Sequence, residues 1–247
     1  MNTYWIKTTV KSCQNLGPIF TFKFLLLFSI AKKTLTINVP GYFQPITIRK
    51  NGTDFRVFCE IVILEAYKHA TVPEAKAIID AGANIGLSTV YFANRYPRAQ
   101  ITAIEVDVDN YNLLAKNISV YPNVTAINKA LWYRSTNIQI SNPDGKKTAI
   151  RVESLPDNET AGIPTITIPE LLESNHNCID LFKVDIEGAE RHVFKELSLE
   201  ELNSIKLLVI ELHDFKIDGC AHSFYSHITK ARFKQKQWGE NLYITFH

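Results

Sequence analysis

The stretch Ile78-Ile79-Asp80-Ala81-Gly82-Ala83-Asn84-Ile85-Gly86-Leu87-Ser88-Thr89 constrains this chain more than any other. It begins as an apolar strand, passes a Gly-x-x-x-Gly turn and enters a helical pattern. A chain that leaves a strand, turns sharply and starts a helix needs positions without a Cβ or with positive φ. Such a turn brings a ligand close to the backbone, and the helix behind it offers unpaired N–H groups. Ser88 and Thr89 add hydroxyls there. The dinucleotide fingerprint has three glycines and a later acid. Here one glycine is missing and Asp80 precedes the loop. A carboxylate repels a bare pyrophosphate and suits a ligand with positive charge, such as an amino-acid moiety or a sulfonium. A tight strand–helix turn with no ligand is the other reading of the same residues.

Composition narrows the class. With 247 residues, 46% of them hydrophobic, the chain suits one large α/β domain with an additional segment. A net charge of +2 gives no basis for nucleic-acid binding. Cys13, Cys59, Cys178 and Cys220 lie far apart, which reads as small apolar residues in a reducing, cytoplasmic compartment. The run Phe24–Ala31, between Lys23 and Lys32-Lys33, falls short of the roughly 20 apolar residues that a spanning helix needs. A buried or interfacial helix fits it, and contact between residues 16–33 and a membrane surface stays open.

Patterning divides the chain into an extension over residues 1–70 and a main domain over 71–247. Residues 1–33 read as one apolar helix. Leu35, Ile37 and Val39, then Ile46 and Ile48, alternate around Pro40-Gly41 as a hairpin. A helix is expected over 57–68. From residue 77, strands alternate with helical patterns. Strands are expected at Ala77–Asp80, Ile101–Glu105 and Val124–Ala130, with helices at Leu87–Arg95 and Asp109–Val120. This order means βαβ units, a parallel sheet and helices on both faces. Residues 132–168 read as a turn-rich extension with short strands, including turns at Asn142-Pro143-Asp144-Gly145 and Pro156-Asp157-Asn158. The order then resumes: a helix at Pro169–Ser174, strands at Ile179–Asp185 and Ile205–Leu212, and a helix at Ala189–Leu197 between them. Trp238-Gly239-Glu240-Asn241 suits a hairpin that closes the sheet edge antiparallel.

In open α/β sheets, ligands sit beyond the carboxyl ends of the strands. Those ends carry Asp80 and Gly82, then Glu105, then Asn128–Leu131, then Asp185-Ile186-Glu187-Gly188, then Glu211-Leu212-His213-Asp214. Glu105, one strand after the glycine loop, is placed to accept hydrogen bonds from two ribose hydroxyls. Asp107 and Asp109 read as caps of the next helix. Asp185 and Glu187 could orient a cation, share a proton or pair with Lys183 or Arg191. His213 is a candidate general base. Asp185, Glu211 and His213 offer ligand atoms to a divalent ion, but the acidic pair of catechol-type metal sites is not visible, and no metal is expected.

Two of these stretches resemble a known family. Asp80-Ala-Gly82-Ala83-Asn84-Ile-Gly86 is similar to motif I of class I S-adenosylmethionine-dependent methyltransferases. Lys183-Val-Asp185-Ile-Glu187-Gly188-Ala189-Glu190 resembles the acidic motif of the FkbM family, and the hairpin with Asp54-Phe-Arg-Val57-Phe58 resembles that family's N-terminal region. The resemblance covers roughly residues 35–215. It implies a Rossmann-like, doubly wound sheet of seven strands with the last strand antiparallel, S-adenosylmethionine as cofactor, and O-methylation of a sugar, glycan or secondary-metabolite hydroxyl. It also implies roles. Asp80, Gly82, Ala83, Asn84 and Gly86, with Ser88 behind them, would surround the methionine part. Glu105 would hold the ribose, and Val106, Ala130 and Leu131 the adenine. Asp185 would lie near the reaction centre, with His213 or Glu187 as base. Val106 stands where relatives often have proline. No acid follows the third strand, which leaves the adenine amino group to a backbone contact or Asn128. A catalytically degenerate partner in a glycan-assembly complex and an NAD-dependent oxidoreductase are the alternatives.

Overall fold

The computed structural model describes residues 3–50, 53–141, 151–154 and 162–247. The chain opens with two helices, α1 (Thr3–Leu16) and α2 (Pro18–Ile30), where the sequence suggested one. Gly17 takes φ +89° and Pro18 starts the second helix, so the axis breaks between them. The expected hairpin follows as β1 (Thr34–Ile37) antiparallel to β2 (Ile46–Arg49). The helix expected over 57–68 is earlier and shorter: α3 (Asp54–Phe58) runs into a single π turn, Cys59–Ile63. Phe20 and Phe24 of α2, Ile37 and Ile46 of the hairpin, and Ile85, Leu114 and Ile118 of the main domain share one hydrophobic cluster. Asn117 stitches the hairpin to the main domain, donating from Nδ2 to the carbonyls of Thr47 and Ile85, both at 2.9 Å.

The main domain runs β3 (Ala77–Ala81), α4 (Leu87–Arg95), β4 (Gln100–Ile104), α5 (Val108–Ile118), β5 (Val124–Ile127), β6 (Ala130–Leu131), β7 (Asn137–Ser141), β8 (Arg151–Ser154) and β9 (Ile163–Ile166). It continues with α6 (Ile168–Ser174), β10 (Ile179–Val184), α7 (Glu190–Val193), α8 (Leu199–Asn203), β11 (Ile205–Glu211), α9 (Cys220–Ile228), β12 (Phe233–Trp238) and β13 (Asn241–Phe246). Seven strands form the main sheet in the order β12-β13-β11-β10-β3-β4-β5. β13, the last strand, is antiparallel to both of its neighbours. This is the doubly wound α/β sheet of seven strands, its last strand antiparallel, that the resemblance implied. The order reverses between β3 and β10, which opens a ligand crevice at their carboxyl ends. The central strands are buried on both faces. Ile78, Leu181 and Val209 enter one cluster, and Ile79, Phe182 and Leu208 the other.

Elsewhere, too, elements depart from the sequence pattern. The third strand stops at Ile127, and Ala130–Leu131 pair instead with β9 in a second sheet ordered β6-β9-β7-β8. The Asn128 amide donates to the carbonyls of Glu105 (2.8 Å) and Val106 (3.1 Å), taking the place of a continued ladder. The helix expected over Ala189–Leu197 is one turn, α7, ended before Glu196 at φ +65°. Helix α9 was not expected, although its buried Cys220, Phe224 and Ile228 recur every four residues. The turns expected at 142–145 and 156–158 lie outside the described residues.

Gly82 shows why a glycine begins the loop. At φ +73°, a Cβ there would lie 1.8 Å from the carbonyl oxygen of Asp185. Gly41 has a similar φ of +82°, but a Cβ added there would meet nothing within 4 Å. Gly41→Ala therefore isolates the backbone cost, about 1–2 kcal/mol, while Gly82→Ala adds a backbone collision and should lower stability by roughly 3 kcal/mol or more. Urea unfolding of both variants checks the difference.

Candidate active site

The loop after β3 contains three left-handed residues, Gly82, Asn84 (φ +51°) and Gly86 (φ +86°). The N–H groups of Gly82 and Ala83 both donate to the Ile104 carbonyl at 3.0 Å, which holds the loop across the end of β4. A Cβ on Gly86 would lie 2.6 Å from Leu114 Cδ1 of α5. Both glycines are thus demanded by internal packing. A different residue of the loop points to a ligand: Asn84 lines a cleft, and its Oδ1 is buried with no hydrogen-bond partner. A buried acceptor left unpaired is costly, so a ligand donor fits there.

Behind the loop lies a buried ion pair. Lys183 of β10 sends its ammonium to the carbonyls of Gly82 (2.8 Å) and Ala81 (3.3 Å) and to within 3.2 Å of Asp80 Oδ1. Ser88 Oγ and Thr89 Oγ1 donate to Asp80 Oδ2 at 2.7 and 2.6 Å. Burial favours the neutral amine of Lys183, but the charge of Asp80 outweighs it and raises the pKa above the ordinary lysine value. Asp80 has 0% exposure. It sits behind the cleft wall, and the Ser88 hydroxyl is turned towards it. Asp185 and Glu105, unlike Asp80, line the cleft.

Glu105 ends β4 nearly buried. It accepts the backbone N–H of Asn84 at 2.7 Å and of Asp107 at 2.9 Å, one on each oxygen. Burial pushes its pKa up, against the pull of those two donors. Each oxygen retains acceptor capacity, and Val106, Lys129, Ala130 and Leu131 continue the wall beyond it. Asp107 caps α5 as expected, accepting from the N–H of Asn110. Asn128 does not face the cleft with its amide, which is bound to the Glu105 and Val106 carbonyls.

At the other end, the acidic motif folds around His213. Glu187 (φ +59°) and Gly188 (φ +105°) form a left-handed pair that turns the chain into α7. Glu190 is fully buried. Its Oε1 accepts the N–H of Ile186 at 2.8 Å and lies 3.0 Å from His213 Nδ1. His213, 2% exposed, points Nε2 at Glu211 Oε1 (3.5 Å), Asp185 Oδ1 (3.6 Å) and Glu187 Oε2 (3.6 Å). Burial opposes the charged imidazole, but Glu190 and the other carboxylates prevail and raise its pKa. Glu211 is raised to about 7, first by burial and then by the charge of Asp185. Lys216 pairs with Glu187. One ligand atom each from Asp185, Glu211 and His213 lie within 4.8 Å of one another, the spacing of a divalent-ion site. Five carboxyl side chains (Asp80, Asp185, Glu187, Glu190, Glu211) here meet three basic ones (Lys183, His213, Lys216), so the excess is acidic.

The glycine loop, Glu105, the acidic motif and His213 thus face a single cleft of about 1440 Å³. The Methyltransferase FkbM domain matches residues 80–234, more than half of the sequence. The chain belongs to the FkbM methyltransferase family. Curated relatives include "Methyltransferase 1" of Beauveria bassiana (strain ARSEF 2860), 26% identical over 64% of this chain and 73% of its own length. "Methyltransferase sdnD" of Sordaria araneosa is also 26% identical, over 63% of this chain and 73% of its own. A crystal structure of Methyltransferase FkbM from Methylobacillus flagellatus KT aligns with a TM-score of 0.46 at 15% identity, over 79% of this chain and 54% of that one.

In this FkbM-family methyltransferase, sequence reasoning placed Glu105, Val106, Ala130, Leu131, Asp185, Glu187 and His213, and the structure brings all of them to one cleft. It treated Lys183 only as a partner for Asp185 or Glu187, and the Asp80 pairing was missed. It also missed Glu190 as the partner of His213, although Glu190 lay in the motif. Replacing Lys183 by methionine leaves Asp80 buried and unpaired, and stability should fall by about 3–5 kcal/mol. Adding Asp80→Asn should restore a large part of it. Denaturant unfolding of the single and double variants measures both changes.

Proposed function

We propose that this methyltransferase binds S-adenosylmethionine in the cleft and transfers its methyl group to a hydroxyl of a small molecule or sugar. The observation that carries the reading is the arrangement of Glu105, Asn84 and the acidic cluster along one cleft. Glu105 has acceptor capacity for two ribose hydroxyls. Asn84 Oδ1 is an unpaired buried acceptor suited to an ammonium or hydroxyl donor. The acid excess beside Asp185 favours a cationic centre. When bound, S-adenosylmethionine supplies an activated methyl on a sulfonium. A pyrophosphate would meet these same carboxylates, which argues against NAD.

The protein's own task is alignment and removal of the acceptor proton. His213, held by Glu190 and facing three carboxylates, is kept in its charged form and is a poor base. Glu211 fits the task better, because a carboxyl titrating near neutrality both accepts a proton and exists ionised at working pH. His213 acts on it as a positioning residue: the imidazolium charge lowers the pKa of Glu211, against burial and Asp185. Asp185 and Glu187 complete the acidic wall.

Calorimetric titration with S-adenosylmethionine, its demethylated product and NAD tests the cofactor. Binding of the first two but not NAD is expected, and Glu105→Ala should weaken it about 100-fold through two lost charge-assisted hydrogen bonds. Retained affinity with no turnover on any hydroxyl acceptor would favour the degenerate reading.

For an acceptor that is turned over, kcat/KM should rise with pH and level off above about 7, as Glu211 loses its proton. Glu211→Gln should reduce it on the order of 100-fold or more. His213→Gln should move the rising limb to higher pH, because it removes the charge that lowers Glu211. A profile unchanged in Glu211→Gln would rule out this base, and loss of turnover on chelation would point to the metal arrangement.

A further inference from the structure

The first 53 residues contain seven lysines and arginines and no aspartate or glutamate. The remainder carries twenty basic and twenty-five acidic residues, so a total of +2 hides a +7 segment joined to a −5 body. The same segment holds nine of the fourteen large apolar side chains that are exposed among the described residues. Helix α2 concentrates them. Phe20 and Phe24 face inward, with Phe24 stacked against Phe55 at 5.4 Å. Ile19, Phe22, Leu26 and Ile30 follow one another at steps of three or four residues and are 72%, 69%, 50% and 65% exposed. A helix that only met water on this side would carry polar residues there. Exposed Lys23, Lys32 and Lys33 flank the stripe, and exposed Lys7 and Lys11 lie on the neighbouring α1.

We propose that α2 and its basic flanks seat this protein on the surface of an anionic lipid bilayer. An apolar face bordered by lysines inserts into the headgroup boundary while the ammonium groups meet acidic lipids. At 13 residues α2 is too short to cross, and no helix among the described residues is long and apolar enough to do so. A second copy is a poor occupant, because it would set one +7 segment against another. Lys7 and Lys11 also border the catalytic cleft, so a bilayer on this face lies beside the cleft rim.

Co-sedimentation of the full chain with phosphatidylcholine vesicles, with and without phosphatidylserine, tests the proposal. Binding should require phosphatidylserine and weaken with salt. Lys32→Gln with Lys33→Gln should reduce it about fivefold per charge removed. Phe22→Asp with Ile30→Asp should abolish it, while circular dichroism shows that the fold is kept. No sedimentation with either vesicle, or binding indifferent to headgroup charge, overturns the proposal. So does a dimer seen by analytical ultracentrifugation that the Phe22 and Ile30 changes dissolve.

Discussion

The ion pair between Lys183 and Asp80 holds the centre of the sheet, and the position of the loop and of the acidic cluster depends on it. A lysine ammonium buried between two strands carries a desolvation penalty of several kcal/mol. It persists here because Asp80, two strand-end carbonyls and the hydroxyls on Asp80's other oxygen surround the pair with polar groups. The pair lies across β3 and β10, where the strand order reverses. By gripping the carbonyls of Ala81 and Gly82, Lys183 fixes where the chain leaves β3. The same strand end presents Asp185, whose backbone oxygen fills the space that a Cβ on Gly82 would need. Loop and acidic wall are therefore packed directly against one another.

The second dependence is electrostatic and starts from Glu190. Buried Glu190 accepts the Ile186 N–H, has the Cys220 thiol beside it and holds His213 Nδ1 at 3.0 Å. The imidazole then presents its other nitrogen to three carboxylates at the cleft. Proton affinity is divided unevenly across the group: the histidine keeps its proton, and Glu211 is lifted into the neutral range by burial and by Asp185. Both groups are raised by their surroundings, so a charged imidazole faces a carboxyl that titrates near neutrality.

Much of this was legible in the linear sequence. The βαβ order, the glycine-spaced turn and the acids at strand ends follow from local rules: side-chain period, backbone freedom and capping. Glu105 could be found because it lies one strand after the loop. Elements without a strong local signal were misjudged. Helix α9 has no flanking proline and few charges, and the third strand ends where a side-chain amide replaces a ladder bond. The break in the N-terminal helix was written in Gly17-Pro18 and was overridden by the apolar run around it.

The sequence by itself determined the class of sheet, the site's location at its carboxyl edge and the acidic character of that edge, because these depend on patterns within ten or fifteen residues of chain. Only the tertiary structure decided how the charges pair. Asp80 and Lys183 are far apart in sequence, as are Glu190 and His213, and a carboxylate's role is set by which neighbours share its burial. For that reason His213 reads as a base in the sequence, whereas in the fold Glu190 and three cleft carboxylates surround it and raise its pKa, and Glu211 is the base we propose.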